Sequence, residues 1–74
     1  MATDLTARAA VLPFPSYDAA LTGSLAWAEA RGVGPQGWYR TEAAEGREVL
    51  AHRGGRIELT PNGAQGYRAA VELY

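Results

Sequence analysis

The chain contains no cysteine and no lysine, and only one histidine, one methionine and one phenylalanine. Without cysteine there is neither a disulfide framework nor a thiolate metal site, and one mark of a secreted mini-protein is missing. The single histidine, His52, has no cysteine to share a metal with, and Ser16 and Ser24 are the only serines. A Ser-His pair or a metal centre would therefore lack partners, and no catalytic group, metal or cofactor is expected. Arginine supplies every positive charge, which a GC-rich coding sequence explains as easily as function does. The net charge of −1 gives no global field for nucleic acid or an anionic membrane.

Long apolar runs are also absent. The opening stretch MATDLTARAAVLPFPS has no basic lead, and Pro13 and Pro15 break its short apolar run. Neither a signal peptide nor a membrane span is expected, and a cytoplasmic address follows as the expectation. At 74 residues the chain makes one domain. A domain of this size buries only about 60% of the surface its unfolded chain exposes, so a homodimer or a bound protein partner is a reasonable supplement to a small core.

What the sequence does hold is a legible α+β pattern. Residues 5–12 alternate with a strand-like period that ends near Val11, where the prolines begin. Ser16 stands as an N-cap, Asp18 lies in the first turn, and Arg31-Gly32 supplies a cation and a C′ glycine. Between them Tyr17, Leu21, Ser24, Leu25 and Ala28 recur at helical spacing, predicting an amphipathic helix over about 16–31. Gly23 within it marks either a close approach to a sheet or a break, and Trp27 edges the apolar stripe as a lid on the core.

An antiparallel meander is predicted over about 37–60. Gly54-Gly55 reads as a two-residue type I′ connection that sets Arg53 opposite Arg56 and His52 opposite Ile57. A four-residue loop at 43–46 sets Glu42 opposite Arg47 and Tyr39 opposite Leu50. One face then collects Tyr39, Leu50, His52, Ile57 and Leu59 as the core face. The other collects Trp38, Arg40, Val49, Arg53, Arg56 and Glu58. A one-residue slip in the first hairpin would exchange Trp38 with Tyr39. Thr60-Pro61-Asn62-Gly63 is a turn, and Tyr67, Ala69, Val71 and Leu73 alternate as a further strand, although Ala64, Tyr67, Val71 and Tyr74 also fit a helix face.

Two patterns with chemical associations have simpler explanations. Gly32-Val33-Gly34-Pro35-Gln36-Gly37 matches G-x-G-x-x-G, but it follows a helix and precedes a strand, the reverse of the order that binds a pyrophosphate. Glu42, Glu45 and Glu48 gather around a hairpin tip, which offers no cleft to separate their pKa values.

The candidate functional surface is the outer sheet face. Like charges at Arg53 and Arg56 are unfavourable across a hairpin unless something acidic covers them. Trp38 and Arg40 add residue types that dominate interface hot spots. The expected function is a small non-enzymatic protein-binding module whose partner-binding residues are Trp38, Arg40, Arg53 and Arg56. In size and in its lack of catalytic groups the chain resembles small stand-alone inhibitors of larger machines, phage-encoded anti-CRISPR proteins among them. A second resemblance points elsewhere. Ala28-Glu29-Ala30-Arg31-Gly32-Val33 resembles the A-x-x-x-G-V turn of helix-turn-helix proteins, and 55–63 is similar to the wing of winged-helix regulators. That resemblance implies DNA binding, with a recognition helix from Pro35 to Glu45, Arg40 and Arg47 near DNA, and Arg53 and Arg56 on the wing.

Overall fold

The computed structural model describes residues 5–74, apart from the side chain of Gln65. Met1–Asp4, on which the reading of the N-terminus partly rests, lie outside the described residues. Five strands, β1 (Ala9–Phe14), β2 (Tyr39–Ala44), β3 (Arg47–His52), β4 (Gly55–Pro61) and β5 (Tyr67–Leu73), form one antiparallel sheet in the order β1-β5-β4-β3-β2. Among the described residues a single helix, α1 (Tyr17–Glu29), crosses one face, and one 3-10 turn (Gly63–Gln65) joins β4 to β5. The α+β class, the helix and the meander match the sequence expectations, and the terminal segments both add strands.

The helix forms where its ends are satisfied. The Ser16 hydroxyl accepts the Ala19 N–H at 3.1 Å. At the other end the Val33 and Gly32 N–H groups donate to the Ala28 and Glu29 carbonyls, with Gly32 at φ 95°. This is a Schellman-type closure, and buried Val33 and Ala28 make its apolar contact. The face turned to the sheet is lined by Ala20, Ser24 and Ala28, all fully buried. Such short side chains let the helix axis sit low on the strands. Gly23 serves the same end, because a Cβ there would fall inside the Phe14 ring of β1. Helix α1 packs chiefly on β5, β1 and β4, and Ile57, Leu59, Ala69 and Val71 beneath it form the centre of the core.

Both hairpins depart from the expected register. The second turns at Arg53-Gly54, so Leu50 faces Ile57, Ala51 faces Arg56 and His52 faces Gly55. Arg53 and Arg56 therefore do not oppose one another. Neither Gly54 nor Gly55 takes positive φ. Gly55 instead lies under β5, where a Cβ would collide with the Glu72 carbonyl and the Leu73 side chain. The shift is two residues, so side chains keep their faces, and it brings two buried residues, Leu50 and Ile57, into register.

The first hairpin turns at Glu45-Gly46, with Ala44 facing Arg47, and carries a bulge between Arg40 and Glu42. That one extra residue reverses the faces beyond it. Arg40 faces Leu50 and Tyr39 faces Ala51. Trp38 thus joins the helix side beside His52, whereas Tyr39, expected in the core, is 62% exposed on the opposite face.

At the N-terminal side β1 runs through Pro13 to Phe14 rather than stopping near Val11. Proline is tolerated because β1 is an edge strand, pairing among the described residues only with β5. At the C-terminus the alternation of Tyr67, Ala69, Val71 and Leu73 prevails over the helical reading, and Ala69, Val71 and Leu73 are buried in the core. No described helix is long and apolar enough to cross a membrane.

Candidate functional site

The four residues singled out in the sequence lie on three different surfaces. Trp38 and Arg40 stand on the helix side of the sheet, Arg53 projects from the turn between β3 and β4, and Arg56 lies on the helix-free face. Trp38 and Arg40 stay together, on a ledge where β2 and β3 run out beyond the strands that α1 chiefly covers. The ledge is built from aromatic and polar contacts.

Trp38 Nε1–H donates to the Gly34 carbonyl at 3.1 Å. Its ring packs against His52 with centroids 4.9 Å apart. His52 is committed at both nitrogens. Its Nδ1 accepts the Gly54 N–H at 2.8 Å, so Nε2 carries the proton and donates to the Gln36 carbonyl at 2.9 Å. The imidazole thereby fastens the turn of the second hairpin to the loop that follows α1. Gly32–Gly37, the G-x-G-x-x-G match, is that loop, closing a helix and leading into β2.

One step along the ledge, Arg40 Nε lies 3.3 Å from Glu48 Oε2. The other carboxylate oxygen of Glu48 accepts the Tyr17 hydroxyl at 2.7 Å. Tyr17 in turn meets Tyr67 edge-on, with centroids 5.5 Å apart. The hydrogen bond to Glu48 raises the Tyr17 phenol above its ordinary range, with burial and the nearby negative charge adding to it. Glu48 is thus separated from the acidic hairpin tip with which sequence reasoning grouped it. Its parity with Leu50 and His52 along β3 is the signal that places it on the helix side.

The helix-free face carries a different network. Arg47 binds Glu58 through Nε and Glu42 through Nη1, the latter at 2.9 Å. The Glu42–Arg47 pair anticipated from the sequence therefore forms, though the two residues are not directly opposed. These two carboxylates, Glu58 foremost, hold the Arg47 guanidinium firmly in its charged form. Val49, between them on β3, is 4% exposed despite lying on the face without a helix. Arg56 is half-buried, with its guanidinium 4.0 Å from Glu58. A shallow hollow of about 400 Å³ lies beside it, bordered by Val11, Ala70 and Glu72.

All six residues of β2 are exposed, and among the described residues the strand pairs only with β3. Its outer edge is a row of backbone donors and acceptors open to another chain. Local alternation specifies the meander but not which of its strands ends the sheet, so this edge has no signal in the sequence. Among the described residues, no three of histidine, cysteine, aspartate and glutamate gather in a way that would hold a metal ion. The recognition helix implied by the winged-helix resemblance does not form, because residues 39–44 are β2. No protein-family model, curated protein or solved structure matches the chain.

Proposed function

We infer that the protein is a small non-enzymatic protein-binding module, of the kind that acts as a stand-alone inhibitor of a larger machine. The observation that carries this reading is β2, an edge strand exposed along its whole length, with Trp38 and Arg40 at its helix-side entrance. An extended segment of a partner adds to such an edge by backbone hydrogen bonds, and flanking side chains select its sequence. An acidic or aromatic side chain in that segment suits the exposed guanidinium of Arg40 and the indole beside it. The engagement of both His52 nitrogens in structural hydrogen bonds favours binding over catalysis.

The test separates the surfaces on which the four sequence-selected residues fall. Affinity capture from host lysate is run with the wild type and with Arg40→Glu, Arg53→Glu and Arg56→Glu, each checked for fold by circular dichroism. The expected result is loss of a specific partner with Arg40→Glu and retention with the other two. Loss only with Arg53→Glu or Arg56→Glu moves the site to the turn or to the helix-free face. A homodimer, the other supplement expected for so small a core, needs a surface that leaves β2 free.

A further inference from the structure

The helix-free face of the sheet is self-complementary, and we propose that it is the contact surface between two copies of this chain. The register defines it. Across the outer face one row reads Ala9, Glu72, Arg56, Ala51 and Tyr39, from β1 to β2. The next reads Val11, Ala70, Glu58, Val49 and Glu42. A two-fold axis laid along the strands between β5 and β4 exchanges those two strands with their counterparts in a second copy, and exchanges β1 with β3.

Under that operation Glu72 lies over Arg56 of the second copy, and Arg56 over its Glu72. Ala9 lies over Ala51, and Val11 over the aliphatic stems of the ion-paired side chains that cover Val49. At the axis each Glu72 meets an Arg56, and in the next row Glu58 meets the small Ala70. A two-fold contact requires such self-complementarity of a single patch.

Three observations support a second copy as the occupant. Glu72 makes no ion pair or side-chain hydrogen bond among the described residues, although Arg56 is its direct cross-strand neighbour. Val11 is 64% exposed on this face, at the rim of the shallow hollow beside Arg56. The molecule measures 31 × 30 × 16 Å, a slab whose broad side is the sheet. Four strands of six or seven residues, about 4.8 Å apart and rising about 3.3 Å per residue, overlap over roughly 400 Å² of sheet per copy, about half the ~800 Å² per partner of a standard complex and in keeping with a weak dimer. Small side chains at Ala9, Ala51 and Ala70 permit face-to-face packing at the usual spacing of about 10 Å. Strand β2 lies outside the overlap, so its edge remains open on both copies.

The experiment is sedimentation or light scattering across a concentration series, on the wild type, on Glu72→Arg, on Arg56→Glu, and on the double exchange Arg56→Glu/Glu72→Arg. The expected result is a dimer for the wild type, at least a tenfold weaker dimer for each single variant, and recovery in the double. Val11→Asp, which alters no charge pair, weakens the dimer independently. Circular dichroism and thermal melts on every variant separate loss of association from loss of fold. A wild type that stays monomeric at millimolar concentration overturns the proposal. So does a dimer indifferent to Glu72→Arg and Val11→Asp, or single-variant losses that the double exchange fails to restore.

Discussion

Strands β4 and β2 are close in length and belong to one sheet, yet every other residue of β4 from Gly55 to Leu59 is buried, whereas all six residues of β2 are exposed. The difference does not come from strand propensity, since β2 holds Tyr39 and Thr41, both good strand formers. It comes from position. Strand β4 has neighbours on both sides and the helix above it, while β2 has one neighbour and lies beyond the strands that the helix chiefly covers. Stability is thus concentrated at the β5–β4 side and thins toward β2, whose outer edge is unpaired among the described residues.

The sharpest way to break this comparison is at its buried pole. Ile57→Ala should cost about 2–5 kcal/mol, because Ile57 is fully buried and the packed helix limits collapse of the cavity. Chemical denaturation checks it, and a loss below about 1 kcal/mol would mean the core does not sit under α1. Second in size is Gly23→Val, which drives a branched side chain into the Phe14 ring. Overpacking of that kind costs roughly 1–3 kcal/mol, and shortening the ring with Phe14→Leu in the same chain should recover part of it.

Further from the helix the effects shrink. Val49→Ala should cost about 1–2 kcal/mol, since Val49 is buried under ion-paired side chains rather than under a helix. Tyr39→Thr at the exposed pole should stay within about 0.5 kcal/mol of the wild type. Should Tyr39→Thr prove as costly as Val49→Ala, the gradient from β4 to β2 would be refuted.

The smallest effect is visible only at alkaline pH. Tyr17 has its pKa raised in the fold by Glu48, so its contribution is complete below the ordinary tyrosine value near 10 and is lost as pH rises through the raised folded value. Tyr17→Phe should remove the bond to Glu48 and flatten that part of the decline. The difference between the two stability curves above pH ~10, rather than either curve alone, isolates Tyr17 from the other tyrosines.

Much of this architecture can be read from the residues because the signals act locally. Ser16, Asp18 and Gly32 bound the helix, and the unbroken alternation from Tyr67 to Leu73 marks a buried strand. Gly23 is legible as a close approach, though not the identity of Phe14 as its neighbour. The second hairpin lies two residues out of its expected register because Gly55 looks like turn chemistry, whereas its missing side chain accommodates β5. That information is tertiary and has no local trace. The candidate surface suffered most. Unbroken alternation through Trp38 and Arg40 would put its four residues on one face, and a bulge carries no sequence signature strong enough to show that they part.

That bulge has a consequence for how such a chain could change its habits. Thr41 works as a half-turn inserted in a screw: were it drawn into the ladder opposite Leu50, each residue before it would move one partner along β3 and change face, carrying the indole to the helix-free side and the phenol of Tyr39 toward His52. That rearrangement needs no substitution and leaves the strands from β3 onward in place, whereas deletion of Thr41 keeps Arg40 opposite Leu50 and every face as it is.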